Sequence, residues 1–572
     1  MLTERLRIWI MAAVVAITFF VNNRTLQPDI MESRNLVTAR EMVETGEWLV
    51  PTMNGDLRLE KPPLPTWVSA IVESVSPDDI AMQRAVASLF GILLVVFFYL
   101  LCRDAFKVDP VDGVLLLCTC YQFMLMVRTV SWDIYTHAFM LGAIYFLVMG
   151  VRERGRQWCR FLLAGLFAGL SVMSKGPVSL FALFLPFVIA WGVFGRPSMR
   201  GKWGPVGVMV LVTLIVGGWW YAYIQIFHGE EWQAVMAKET GSWLNRNVRP
   251  WYYYWKFFLE AGVWALLLVT ATVMVLRRAR RMDRSRLVPV MWMLLCLVLL
   301  SCMPEKKTRY LLPLLIPAAI VMAQGTGIWR AAFMRGSSAP DMEAAGGSVA
   351  VARWPFRLNC WLLAAVCVII PVAAYIMLYG KGLISMPLWI VVAVLSLVAA
   401  WLLVKAAIKL RPQAMVMVVA CYYALLVAFA FPVVGKLINN TSMENIGPAV
   451  NTPQLKDYPI YSPADEELRI EMVYQARRNI RPVDISSPDA VGECLPMILM
   501  THDYAGNCLG DSVLAGVDTI PVGIFDCNRR PKGTRRYSPL FIYHLTLLRP
   551  SQQVDTIQIN TPDNVSATQQ NR

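Results

Sequence analysis

Charged residues are scarce in this chain. Only 16% of its 572 residues are Asp, Glu, Lys or Arg, where a soluble globular chain carries about a quarter. That shortage, beside 57% hydrophobic residues and a mean hydropathy of +0.50, excludes a cytosolic enzyme, a secreted disulfide scaffold and a disordered regulator. Histidine is scarcer still: there are 4, His137, His228, His502 and His544, and neither they nor the 12 cysteines fall into a metal-ligand spacing. All cysteines but Cys494, Cys508 and Cys527 lie in apolar runs or near basic loops, where a thiol is simplest read as a small buried hydrophobe. Those three sit in a polar tail, where one disulfide and one free thiol are both open. No internal repeat is visible. No small-residue cleavage pattern precedes Asn22-Asn23-Arg24, so the apolar run 6–21 is expected to be a retained span rather than a signal peptide. No C-terminal anchor or retention signal is expected.

What the chain has in quantity is long apolar runs. A bilayer core takes about 20 apolar residues per helix, and about thirteen candidate runs are present. They begin near residues 6, 80, 111, 133, 159, 177, 204, 257, 287, 309, 358, 384 and 413. Orientation follows from Lys and Arg in the connecting loops. With Arg5 and Arg7 cytoplasmic, the same side receives 103–107, 152–160, 195–202, 277–286, Arg330 to Arg357 and 405–411, and every one of these is basic. The net charge of +14 is then largely a topology signal, and no nucleic-acid partner is expected. Thirteen spans leave the C-terminal tail outside, on the opposite face.

The expected organisation is a membrane domain at 1–435 and a small periplasmic α/β domain at 436–572. The membrane domain includes a first outer loop at 22–78 with interfacial helices and a cytoplasmic linker at 325–357. Within the outer loop, 33–45 puts Leu36, Ala39, Met42 and Val43 on one helical face, Gly46 stops the helix, and Asn54-Gly55 predicts a tight hairpin. The stretch 335–350 is small and polar, as a flexible linker would be. In the tail, a helix is expected at 464–479, strands at 496–501 and 540–548, and a strand then a loose end over the last twenty residues.

The outer loops carry cations against the insertion preference: Arg24, Arg34, Arg40, Arg58 and Lys61, then Arg128, Lys175, Lys238, Arg246, Arg249 and Lys256, and finally Lys306, Lys307 and Arg309. Ionisable groups at the edge of a membrane bundle mark function by default, and several converging Lys and Arg match a phosphate. Carboxylates beside them would orient or deprotonate a nucleophile.

These residues carry a resemblance. Arg40-Glu41-Met42, Gly46, Trp48, Pro51, Asn54-Gly55 and Glu60-Lys61-Pro62-Pro63 resemble the first periplasmic loop of GT-C class lipid-linked-sugar glycosyltransferases. The likeness is to the aminoarabinose (lipid A) transferases and the protein O-mannosyltransferase superfamily, and it continues through Arg84, Arg128, Asp133, Lys175-Gly176-Pro177, Lys306, Arg309-Tyr310 and Pro313. It implies an α-helical polytopic membrane protein of the GT-C fold with a small C-terminal α/β periplasmic domain.

It also implies roles. Lys61, Arg58, Lys306 and Arg309 would hold the phosphate of a polyprenyl (undecaprenyl) phosphate sugar, with Arg34, Arg84, Arg128 and Lys175 as further cations. Tyr310 would lie beside the phosphate or sugar, and Asp133 would orient the acceptor or a loop. Glu60 would brace Lys61 or join a metal site. Two positions depart from the family: Met31 stands where an Asp is usual, leaving Glu32 and Asp29 as candidate catalytic carboxylates, and Glu239 is followed by Thr240 rather than His. No metal or other cofactor is therefore expected to be required. The expected activity is sugar transfer to a periplasmic-face acceptor, lipid A or another lipid or glycan. A protein O-mannosyltransferase acting on Ser or Thr is the alternative. A transporter or flippase would show inverted repeats and mid-span charges, which the sequence lacks.

Overall fold

A segment that crosses lipid must satisfy every backbone N–H and C=O internally, and the apolar runs do so as helices. The computed structural model describes residues 3–551 apart from 154, 246, 280–282, 335–348, 439–442, 530–531 and 536. Among the described residues, nine helices are long and apolar enough to cross a membrane, from Ile80–Phe106 to Pro412–Phe429. Two bent pairs raise this to eleven: Pro110–Cys118 with Tyr121–Val127 at 78°, and Trp251–Glu260 with Gly262–Arg277 at 94°. Gly262 makes the sharper bend, at φ +65°, a conformation costly for any residue with a Cβ. The remaining two runs of the expected thirteen are helical but short. Glu4–Phe20 has 17 residues, and Leu180–Gly195 is broken by π-helical turns at both ends. The chain is a multi-pass membrane protein.

Contacts divide the chain into two compact units. The first comprises Met1–Thr25, Leu59–Val68 and Asp79–Val433 and contains these helices. Its centre is Trp132–Arg152, buried on nearly every side. Trp264 Nε1 donates to Thr119 Oγ1 at 2.8 Å and Trp292 Nε1 to the Leu183 carbonyl at 3.0 Å, so both of these buried indoles are matched. Helices Gln157–Lys175 and Trp203–Phe227 approach through Gly165, Gly169 and Gly217, the close packing that small residues permit between helices in lipid.

The second unit comprises Leu26–Arg58, Ser69–Asp78 and Val434–Arg572. Helix Ile30–Thr45 opens on a capping box, in which Asp29 accepts from Met31 N and Glu32 N while Glu32 reaches back to Asp29 N. Gly46 closes it at φ +74°. This helix packs into the second unit, and polar as well as apolar positions are covered, Glu32, Asn35, Arg40 and Glu41 with Leu36, Val37 and Met42. Strands β1 (Thr52–Met53) and β2 (Asp56–Leu57) form the expected hairpin, with Asn54 and Gly55 both at positive φ. The tail builds a five-stranded sheet of β3 (Ile460–Pro463), β4 (Ile480–Val483), β5 (Met497–Thr501), β6 (Val517–Asp526) and β7 (Ile542–Pro550), in the order β4-β3-β5-β7-β6. β3 is parallel to β4 and β5, and β7 is antiparallel to β5 and β6. Val37 joins Ile446, Met472, Ile480, Ile498 and Leu547 in the core of this unit. β5 and β7 fall where strands were expected, and the expected helix is confined to Ile470–Ala476 by Arg477 at φ +58°. The polar linker, 335–348, and the final strand and loose end, 552–572, lie outside the described residues.

Candidate active site

Tyr310 opens the Pro-containing helix Thr308–Met334, and the first unit gathers charge around its ring. Lys175 Nζ lies 5.4 Å from the ring centroid, Arg309 Cζ 5.7 Å and Lys307 Nζ 5.8 Å. The Tyr310 hydroxyl donates to Glu305 Oε2 at 3.0 Å, and Glu305 Oε1 pairs with Lys307. Lys175, the last residue of its helix, forms a buried ion pair with Asp133 in the first turn of Trp132–Arg152. Arg309 and Lys61 both lie within Coulombic reach of Lys175, and Lys61 pairs with Glu239 at 3.5 Å. The segments around 61, 133, 175 and 305–310 thus meet at one end of the bundle. Their cations outnumber what Asp133, Glu239 and Glu305 neutralise, so the cluster suits an anion with several oxygens.

Other expected residues are placed differently. Arg84 donates to the Asn23 carbonyl at 2.7 Å, and Arg128 donates to the Thr18 and Val21 carbonyls with its guanidinium over the Phe431 ring. Both serve the C-terminal end of helix Glu4–Phe20, whose last carbonyls have no intrahelical partner. Lys306 turns its ammonium to the Arg249 carbonyl, 3.1 Å away, and to that of Met303, and burial pushes it below the usual lysine range. Glu60 precedes Lys61 on the bend before helix Leu64–Val75. Asp29, Glu32, Arg34 and Arg58 belong to the second unit. There Arg58 binds the Arg34 carbonyl and Thr38 Oγ1, each at 2.8 Å, and Glu32 is buried in the capping box.

Three members of the cluster were outside the expected set: Lys307, Glu305 and Glu239. The signal for the first two was present in Pro304-Glu305-Lys306-Lys307. Lys307 is extended (φ −128°, ψ 142°), and along an extended chain alternate side chains face opposite ways. Glu305 and Lys307 therefore share a side and Lys306 takes the other. Among the described residues, no three His, Cys, Asp or Glu side chains come together as a metal ion would require.

The bundle of broken and continuous spans, with this cation cluster at one end, and the small mixed α/β domain that follows it in the chain have the GT-C fold. The relatives make the likeness particular. The chain is similar to ArnT from Cupriavidus metallidurans bound to undecaprenyl phosphate, with a TM-score of 0.66 and 17% identity over 95% of this chain and 97% of that one. Residues 60–221 match the family described as dolichyl-phosphate-mannose-protein mannosyltransferase. An undecaprenyl phosphate-alpha-4-amino-4-deoxy-L-arabinose arabinosyl transferase of Shewanella sediminis is 26% identical over 51% of this chain and 55% of its own length. An uncharacterized protein of Aquifex aeolicus is 26% identical over 54% of this chain and 62% of its own. The chain thus spans little more than half the length of these two curated relatives. The resemblance carried by the sequence motifs is borne out.

Proposed function

We propose that the chain is an integral-membrane glycosyltransferase that takes a sugar from a polyprenyl phosphate donor, undecaprenyl phosphate in kind. The acceptor lies at the periplasmic face of a bacterial inner membrane and is lipid A or another lipid or glycan. The observation that carries this reading is the ring of Lys175, Lys307 and Arg309 about Tyr310, with Lys61 in reach of Lys175.

The donor's anomeric carbon leaves a phosphate behind, so transfer needs the departing anion and a developing oxocarbenium ion to be stabilised. Preorganised cations meet the first demand, since they are held before the charge develops. A carboxylate near the sugar, Asp133 or Glu305, meets the second. A hydroxyl acceptor also needs a base, the role proposed for Glu32 or Asp29, whereas a phosphate acceptor is already an anion. No metal or other cofactor is required in this scheme. The mannosyltransferase family match favours one second reading, transfer to Ser or Thr of a protein.

The deciding assay offers the purified full-length chain a radiolabelled undecaprenyl-phosphate sugar with lipid A and with a Ser/Thr peptide in separate reactions. Label is expected on lipid A. Lys61→Ala is expected to abolish transfer while the protein stays monodisperse, and unchanged turnover in that variant would overturn the phosphate site.

A further inference from the structure

Two of the cluster's cations, Lys307 and Arg309, sit on 304–310, an extended segment that runs into the start of the helix Thr308–Met334. What holds it is a second segment, 247–254, of the same unit. Val248 and Glu305 form an antiparallel bridge, Arg249 N donates to the Pro304 carbonyl at 3.4 Å, and Lys306 N donates to the Asn247 carbonyl at 3.2 Å. At Lys307 the pairing partner changes from backbone to side chain. The Tyr254 hydroxyl accepts from Lys307 N at 3.0 Å and donates to the Lys307 carbonyl at 3.2 Å. An extended residue points its N–H and C=O to the same side, which is why two facing strand residues can exchange both bonds. Here one hydroxyl does the work of the facing residue. Tyr254 is fully buried, and Tyr253 adds a contact from its hydroxyl to Thr308 Oγ1 at 3.3 Å.

We propose that Tyr254 is a positioning residue for the donor phosphate: by pinning the backbone of Lys307 it fixes where Lys307, Arg309 and Tyr310 converge. The inference rests on the reading of the cluster as the polyprenyl-phosphate site. Its physical content is alternation. With the Lys307 backbone held, Lys306 faces the carbonyls of Met303 and Arg249 while Lys307 faces Glu305 and the Tyr310 ring. Rotation of that backbone would carry the Lys307 ammonium off the ring and shift Arg309 with it. Tyr254 touches neither sugar nor phosphate in this account, so its removal acts on binding before chemistry.

The test uses the full-length chain in lipid nanodiscs, with undecaprenyl phosphate as the binding probe and a radiolabelled undecaprenyl-phosphate sugar for kinetics. Tyr254→Phe is expected to raise the Kd for undecaprenyl phosphate and the donor KM about tenfold, leaving kcat within about threefold. In a Lys307→Met background the same substitution is expected to raise KM by less than it does in the wild type, because one of the groups it positions is gone. A folded Tyr254→Phe variant with unchanged KM, or one that loses kcat alone, overturns the proposal. Hydrogen exchange on the wild type is independent of whether the variant folds: the amides of Lys306 and Lys307 are expected to be protected before ligand is added, and protection that appears only with undecaprenyl phosphate overturns it too. If the wild type does not bind undecaprenyl phosphate, the site reading falls and the proposal with it. If Lys61→Ala abolishes binding but Tyr254→Phe leaves it intact, only the proposal falls.

Discussion

Glu41, part of the motif shared with the glycosyltransferases, is buried and accepts from Thr52 Oγ1 at 2.6 Å, Asn54 N at 2.5 Å and Gly55 N at 3.2 Å. Its carboxylate organises the hairpin, and Asn54 in turn exchanges two hydrogen bonds with the backbone of Ile480. Glu41→Ala leaves those donors unmatched and is expected to destabilise the second unit by about 3 kcal/mol, with Glu41→Gln losing less. Thermal unfolding of the purified variants measures this, and wild-type stability in Glu41→Ala would assign the motif's Glu to something other than the hairpin. Asp29 poses the converse question, since a good N-cap and a catalytic base are both carboxylates. Asn caps as well as Asp, so Asp29→Asn is expected to keep the helix stable while Asp29→Ala loses about 1 kcal/mol. Transfer lost by Asp29→Asn or Glu32→Gln at unchanged stability would assign that carboxylate to the chemistry. Transfer kept by both fits an acceptor that is already an anion.

Pairs of helices in lipid lack the hydrophobic drive that joins them in water and depend on close approach. A Cβ on Gly165 would stand 2.6 Å from the Met209 carbonyl oxygen, which cannot yield unless the helix Trp203–Phe227 moves with it. Gly165→Ala is therefore expected to cost about 1–3 kcal/mol and to lower the melting temperature in detergent, while Gly207→Ala, on an open face of the helix Trp203–Phe227, changes little. Elements of this kind were legible in the sequence because length and hydropathy alone define them, and each of the expected runs is a helix or a bent helix pair. The bends were not legible. Pro110–Cys118 and Tyr121–Val127 read as one apolar run, yet their axes lie 78° apart. The site was legible by residue type and loop but not by direction. Arg84, Arg128 and Lys306 are cations in the right loops, yet each is turned to backbone carbonyls. Lys307 and Glu305 differ from their neighbour only in the phase of an extended chain. The helix Ile30–Thr45 shows the same limit, because one apolar stripe is visible in its sequence and the partner that covers the other side is tens to hundreds of residues away.

At the scale of the whole molecule the open question is which face of the membrane each end of the bundle meets. Both ends carry Lys and Arg, so a count of charges does not separate them. Both ends also pair their cations: Lys175 with Asp133, Lys307 with Glu305 and Lys61 with Glu239 at the cluster end, and Arg7 with Asp109 and Asp112 and Arg160 with Glu153 at the other. At the other end Arg5, Arg196, Arg200 and Lys409 stand in short connecting loops or at helix ends, the positions that the insertion bias weighs most. The proposed function requires the cluster to lie on the translocated side. Two exposed cysteines mark the ends, Cys159 beside the basic loop 152–160 and Cys302 beside Lys306 and Lys307. In variants retaining one of these thiols and no other, a membrane-impermeant maleimide applied to intact spheroplasts is expected to label Cys302 at once and Cys159 only after permeabilisation. The reverse pattern would put the cluster in the cytoplasm, where a periplasmic-face acceptor could not reach it.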